Sequence, residues 1–421
     1  MKHPTTIQQL RPISTTPVDQ TNTTNKSNQI LQSTLLAALC LTPLIGIYSP
    51  RALAYLPALI GLCGTIGFRI IHQQWPQWRK DIFIISAIVL SIIAISFTWT
   101  INPEKTIERL IKITPLLFGS ALLFSLLQSM PNHFIERLRH YLSRTLIIAF
   151  IVLIFELLTK GWIFQHLHEM EKFTHTSFLN SSIVMICLIG LPLIISNFKD
   201  KTTSIILVLF LITMIFTDSQ TVQLALLLGL PFLWKIPVSR KEFWVALGAL
   251  IITLMLAAPW IAQFGFNAIA PLVHEQSWFA DAYASSRLEI WNFVSERTME
   301  KPFVGYGIEA TRHIKDFNIS NLYFEHDSVL HPHNFALQIW IEFGLLGAIL
   351  SSGFIAYILT KLQRTAKHHP RAAKAGLAIF ISILSMAATS YGLWQGWWLG
   401  TLLFTTALTY ALIIQPTKST G

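Results

Sequence analysis

Twelve apolar segments, each close to the length of a bilayer crossing, recur along this chain and leave few folds open to it. They lie at about 31–49, 52–71, 82–100, 111–129, 142–159, 178–196, 202–218, 220–235, 241–263, 334–360, 372–391 and 393–414. About 20 apolar residues in a helix cross the hydrocarbon of a membrane. Backbone groups find no water there, so each segment is expected as a helix that closes its own hydrogen bonds. The expected fold class is all-α, a polytopic integral membrane protein with about twelve transmembrane helices and one large loop outside. Composition agrees: 12% of the residues are charged, against about 25% in soluble domains. The least separated pair flanks Thr217-Asp218-Ser219-Gln220-Thr221, where the dividing turn is very short.

Lys and Arg orient the helices, because they accumulate on the inner side of a membrane. With the N-terminus inside, twenty of the 31 fall in inner segments, and five of the other eleven lie in one long outer loop. Both termini are therefore expected inside and the long loop outside. The net charge of +10 has the same origin. Its carriers are scattered over short loops, so no nucleic-acid partner is expected and membrane lipid is. Cys40, Cys63 and Cys187 fall inside apolar segments, which implies no disulfide framework. The expected organisation is a disordered inner tail over 1–30, nine helices over 31–263, the outer loop over 264–333, three helices over 334–414, and an inner tail over 415–421. The first tail has no apolar core and does not read as a secretory signal.

Loops longer than about 15 residues are usually functional, and 264–333 ends in the most telling stretch of the chain. There His331-Pro332-His333-Asn334 runs straight into the apolar Phe335–Gly347 segment. A histidine at a helix N-terminus is kept neutral by the helix dipole and can serve as a general base, the reading given to His333. An interfacial anchor and a metal site on His331 and His333 are the alternatives. Of the loop's other histidines, His274, His313 and His326, the nearby His313 and His326 show no recognised ligand spacing. Upstream, Ser286-Arg287-Leu288-Glu289 has capping-box spacing. It places Arg287 at a first helical position, where a guanidinium beside unpaired N–H groups suits phosphate oxygens. Pairing of Arg287 with an exposed carboxylate is the plainer alternative. Glu342 lies about 12 Å down the helix from Asn334 and forms a polar stripe with Gln338. An acid at that depth is a candidate functional group or an interhelical hydrogen-bonding partner. The smaller outer loop 160–177, with His166, His168, His175, Trp162 and Phe173, reads as an interfacial aromatic belt. Gly305-Tyr306-Gly307 permits a tight turn, and no P-loop motif is present.

His333-Asn334, nine residues, then Gly344-Leu345-Leu346-Gly347 resembles the His-Asn-x9-Gly-x-x-Gly signature of the O-antigen ligase family. Arg287-Leu288-Glu289-Ile290-Trp291 and Pro302-Phe303-Val304-Gly305-Tyr306-Gly307 resemble that family's order of motifs, over about 200–355. The resemblance implies an enzyme of the bacterial inner membrane, a metal-independent inverting glycosyltransferase without cofactor. It would move a glycan from undecaprenyl pyrophosphate to a lipid A-core or other glycan acceptor at the periplasmic face. His333 and Arg287 are then the catalytic candidates, with Asn334, Arg312, His331 and Glu342 as candidate substrate contacts. The family often carries a second functional arginine near the 217–221 turn, and this chain has Ser219-Gln220-Thr221 there. Arg312 and Arg109 are candidates to replace it by charge and side alone. A polysaccharide polymerase or protein O-oligosaccharyltransferase of the same superfamily is the nearest alternative, although only one large outer loop is present. A twelve-span secondary transporter is the alternative from another class. Transporters carry charge and broken helices near the midplane, often in repeated halves. The segment centres here are almost free of charge and no repeat is evident.

Overall fold

A computed structural model describes residues 17–170, 176–196, 200–273, 283–315 and 329–414, with side chains from Asn25 in the first stretch and Ser286 in the fourth. The expectations for Phe173, His175, His274, His326 and the chain ends 1–16 and 415–421 fall outside those residues. Among the described residues the regular structure is helical throughout. In chain order the helices are α1 Pro17–Tyr48, α2 Leu56–His72, α3 Lys80–Ser96, α4 Pro103–Ser129, α5 Asn132–Leu158, α6 Trp162–Leu167, α7 Asn180–Ser196 and α8 Lys201–Phe216. They continue as α9 Gln220–Gly229, α10 Lys241–Leu256, α11 Ala258–Val273, α12 Tyr283–Glu300, α13 Phe335–Ala366, α14 Pro370–Thr389 and α15 Gly396–Thr409.

Every one of the twelve expected segments is helical. Seven helices (α1, α4, α5, α7, α13, α14, and α15 continued to Ile414) are long and apolar enough to cross a membrane alone. The pair α10 and α11, bent by 72°, makes an eighth crossing if counted as one. The remaining expected crossings, α2, α3, α8 and α9, are shorter, at 17, 17, 16 and 10 residues. This is a multi-pass membrane protein.

Three boundaries differ from expectation. Helix α1 begins at Pro17, so residues 17–30 are helical rather than a disordered tail. Once the apolar run has nucleated a helix, adding polar residues at its end costs little. The boundary expected at 263 lies inside α11, and the break comes earlier, at Ala257. Pro259 lacks the N–H that would carry the ladder across it. Helix α12 starts at Tyr283, three residues ahead of the expected cap at Ser286.

Helix α7 is the hub, buried on all sides from Ser182 to Ile195, as an apolar helix without a polar face must be. It packs against α1, α5, α8, α14 and α15. A second core lies at one end of the bundle, where Ile290 and Val294 of α12, Tyr306 and Ile308 meet Trp340 and Ile341 of α13. That second core carries the loop containing the two central histidines.

What joins the loop to the bundle is a splice in α13. Gly344 has φ 58° and ψ −152°, which interrupts the helix. The interruption would orphan the carbonyls of Ile341 and Glu342 and the N–H groups of Leu345 and Leu346. Residues 302–307 take their places. Tyr306 N–H donates to the Ile341 carbonyl (2.9 Å) and Gly307 N–H to that of Glu342 (2.8 Å). Leu345 N–H donates to Pro302 O (2.7 Å) and Leu346 N–H to Phe303 O (3.1 Å). All four groups are satisfied, as buried backbone requires.

Candidate functional site

The histidine turn is fixed from three directions. Asn334, extended at φ −149°, caps α13: its Oδ1 accepts from Ala336 N (3.0 Å) and Leu337 N (3.2 Å). Such a cap contributes roughly 1 kcal/mol to the helix. From α12, the Trp291 indole Nε1–H donates to the Pro332 carbonyl at 2.8 Å. From the connector between α14 and α15, the Ser390 carbonyl accepts from His333 Nδ1 at 2.5 Å. Ser390 is tethered in turn, its hydroxyl 2.9 Å from Thr221 Oγ1 in the 217–221 turn.

These contacts decide the chemistry of His333. A carbonyl can only accept, so Nδ1 carries the proton, and in the neutral ring the lone pair sits on Nε2. Burial lowers the pKa of His333, the Arg287 charge lowers it further, and the Ser390 carbonyl opposes both. The neutral form was expected from the dipole of α13; burial also favours it. His333 adopts a left-handed φ of 52°, a conformation that costs a non-glycine residue of order 1 kcal/mol.

His331 lies beneath it, 6% exposed, with ring centroids 4.2 Å apart. Burial first, then the charges of His333, Arg312 and Arg287, push its pKa down to about 3. It is a neutral interior group. Arg287 sits one turn before Trp291 on the same face of α12, and its charge is felt by both histidines. The expectation that Arg287 occupies the first helical position is corrected: it is the fifth residue of α12, beyond the unpaired N–H groups.

Arg312, at the end of a short 3-10 turn, and Arg109 of α4 share one carboxylate. Arg109 lies 2.8 Å from Glu309 Oε1, and Arg312 Nε lies 3.3 Å from Oε2. Two guanidiniums on one acid leave an excess positive charge close to the histidines. His313 stands apart from the turn, against Asn102 Nδ2 at 3.0 Å. Glu342 is fully buried, and both its oxygens are used internally, by Gln338 Nε2 (2.9 Å) and the Trp394 indole. The Gln338 carbonyl oxygen accepts from Leu393 N at 2.8 Å. The expected polar stripe is real, and it ties α13 to the connector before α15. In the 160–177 loop, the Nδ1 atoms of His166 and His168 lie against carbonyls of their own short helix, Trp162 O and Phe164 O.

The structure thus gathers His331, His333 and Asn334 into one turn, brings the charges of Arg287 and Arg312 to it, and seals Glu342 below. Reading the sequence alone misses the connector Ser390–Gln395. Its polar break between two apolar runs signals a turn, and nothing in it signals contact with a histidine 57 residues upstream. Among the described residues no three His, Cys, Asp or Glu side chains are grouped to hold a metal ion.

Fold and site together define a multi-pass helical membrane protein with a neutral histidine and surplus guanidinium charge at one end of the bundle. Residues 205–352 match the family model described as O-Antigen ligase. That stretch, which holds both halves of the splice, Arg287 and the histidine turn, is similar to the O-antigen ligase family, and the resemblance seen in the motifs is borne out. The chain is 28% identical over 234 residues to a candidate polysaccharide ligase of Rickettsia conorii, covering 54% of this chain and 55% of the relative. A similarly named protein of Rickettsia felis is 27% identical over 54% of this chain and 56% of its own. One of Rickettsia prowazekii is 32% identical over 28% and 29%. The chain spans about half the length of the first two relatives.

Proposed function

We propose that the protein is an O-antigen ligase-like glycosyltransferase of a bacterial inner membrane. It transfers a glycan from an undecaprenyl-pyrophosphate donor to a lipid A-core or related acceptor, with the site on the periplasmic side. The observation that carries the reading is the locked tautomer of His333, with Arg287 beside it. Nε2 takes the proton of an acceptor hydroxyl as that oxygen attacks the anomeric carbon. The bond from that carbon to the pyrophosphate breaks on the opposite face, so the configuration inverts. Negative charge grows on the departing pyrophosphate and is met by Arg287 and Arg312. The donor arrives activated, so the reaction asks for neither ATP nor a metal ion.

The test is direct. Full-length protein in lipid nanodiscs is given a polyprenyl-pyrophosphate glycan and lipid A-core. Transfer of the intact glycan to the core supports the ligase reading. Growth of the lipid-linked glycan by repeat units would support a polymerase instead. At the break in α13 the freed carbonyls are occupied by Tyr306 and Gly307, so that break offers no carbonyls for a transported ion; uptake of an ion or solute by the reconstituted protein without glycan transfer would support the transporter alternative.

A further inference from the structure

We propose that His331 is the positioning residue of this site: its Nδ1 holds the backbone of His333 in the left-handed turn that presents the base. The inference rests on the reading of His333 as general base and deepens it.

The geometry is that of an Asx turn with histidine in the place of asparagine. In an Asx turn, a side-chain acceptor takes the N–H two residues further on. Here His333 N–H donates to His331 Nδ1 at 3.3 Å, and Pro332 between them presets its own φ. Because a backbone N–H only donates, the lone pair of His331 is on Nδ1 and its proton on Nε2. The Gln395 amide lies 3.3 Å from Nε2. It must therefore turn its oxygen toward the ring, an assignment made from the hydrogen-bond network. Both nitrogens of His331 are then satisfied inside the protein. The cradle is shaped to this ring: a Cβ at Gly392 would come within 3.0 Å of His331 Cδ2 and 3.1 Å of Cγ. His331 is 6% exposed and does not face substrate. What it controls is the φ of 52° at His333, and with it the reach of Nδ1 to Ser390 and the aim of Nε2.

Packing and hydrogen bonding separate cleanly in three variants. His331→Asn leaves a void but restores an acceptor near the Nδ1 position, making a true Asx turn. His331→Leu fills the volume and offers no acceptor. His331→Gln carries its amide out to the Nε2 position. Each is measured as full-length protein for kcat and donor KM in the transfer assay, with thermal unfolding alongside and His333→Ala as the reference. We expect His331→Asn within about threefold of wild-type kcat, and His331→Leu and His331→Gln down by about 100-fold at nearly unchanged KM. A purely structural role would give the reverse order, with Leu tolerated and Asn impaired in step with its unfolding temperature. Wild-type kcat in His331→Leu, loss of kcat in His331→Asn, or rescue by His331→Gln overturns the proposal. If His333→Ala itself keeps the wild-type rate, the base reading fails and this inference with it. If His333→Ala is inactive while His331→Leu is active, only the positioning role is lost.

Discussion

His333 is kept neutral by where it lies. Burial lowers its pKa from the ordinary 6.5, Arg287 adds to the effect, and the Ser390 carbonyl only partly offsets them. A base works in its neutral form, so a lowered pKa extends activity toward acid. The transfer rate should therefore hold level down through pH 6.5, where an ordinary histidine would already be losing activity, and fall only on the acid side of it. A pH–rate profile of the purified protein checks this; an acid limb centred at or above 6.5 would contradict it. At this scale the sequence was informative about identity and poor about surroundings. His333, Arg287 and Arg312 could be picked out from motif and charge. That Asn334 is a cap, that Trp394 closes on Glu342, and that Ser390 orients His333 could not. Trp394 and Ser390 lie 52 and 57 residues from the groups they hold, in a connector with no motif of its own.

Among the elements, the splice in α13 explains why the signature needs its first glycine. Gly344 occupies a backbone region that is essentially glycine-only. A Cβ there would also sit 2.4 Å from the Phe303 carbonyl carbon and 2.5 Å from Val304 N, backbone atoms that cannot swing aside. Gly344→Ala should destabilise the protein by roughly 2–5 kcal/mol, combining strain and overpacking. Gly353→Ala, in the same helix with nothing within 4 Å of the added carbon, should be neutral. Thermal unfolding in detergent compares them, and equal midpoints would refute the splice. Apolar periodicity located α13 well, and the Gly-x-Gly of 305–307 read correctly as a turn. It could not reveal that this turn completes a helix some 40 residues away, because the exchanged hydrogen bonds are all backbone.

For the whole molecule, the groups that meet sort into the same two ends as the Lys and Arg reading, whichever end faces inward. Asp81 lies with Tyr357 (2.8 Å) and Lys361 (3.6 Å), all on the expected inner side. Arg109 lies with Glu309 and Asn102 with His313, all on the expected outer side. A reporter active only in the periplasm should work when fused after Lys315 and be silent after Lys367; the reverse would invert the topology and remove the site from its donor. The twelve apolar segments were legible because the bilayer demands a fixed length. The bend at Ala257 was not, because Pro259 sits inside an unbroken apolar run, and neither was the early start of α12.

The central claim is that His333 is the base. In the nanodisc assay, with EDTA present throughout, wild-type protein should transfer glycan at its full rate. His333→Ala should be slower by about 10²–10⁴-fold while accumulating and unfolding like wild type. Wild-type rates from His333→Ala, or a wild-type activity that EDTA abolishes and zinc restores, would contradict the account.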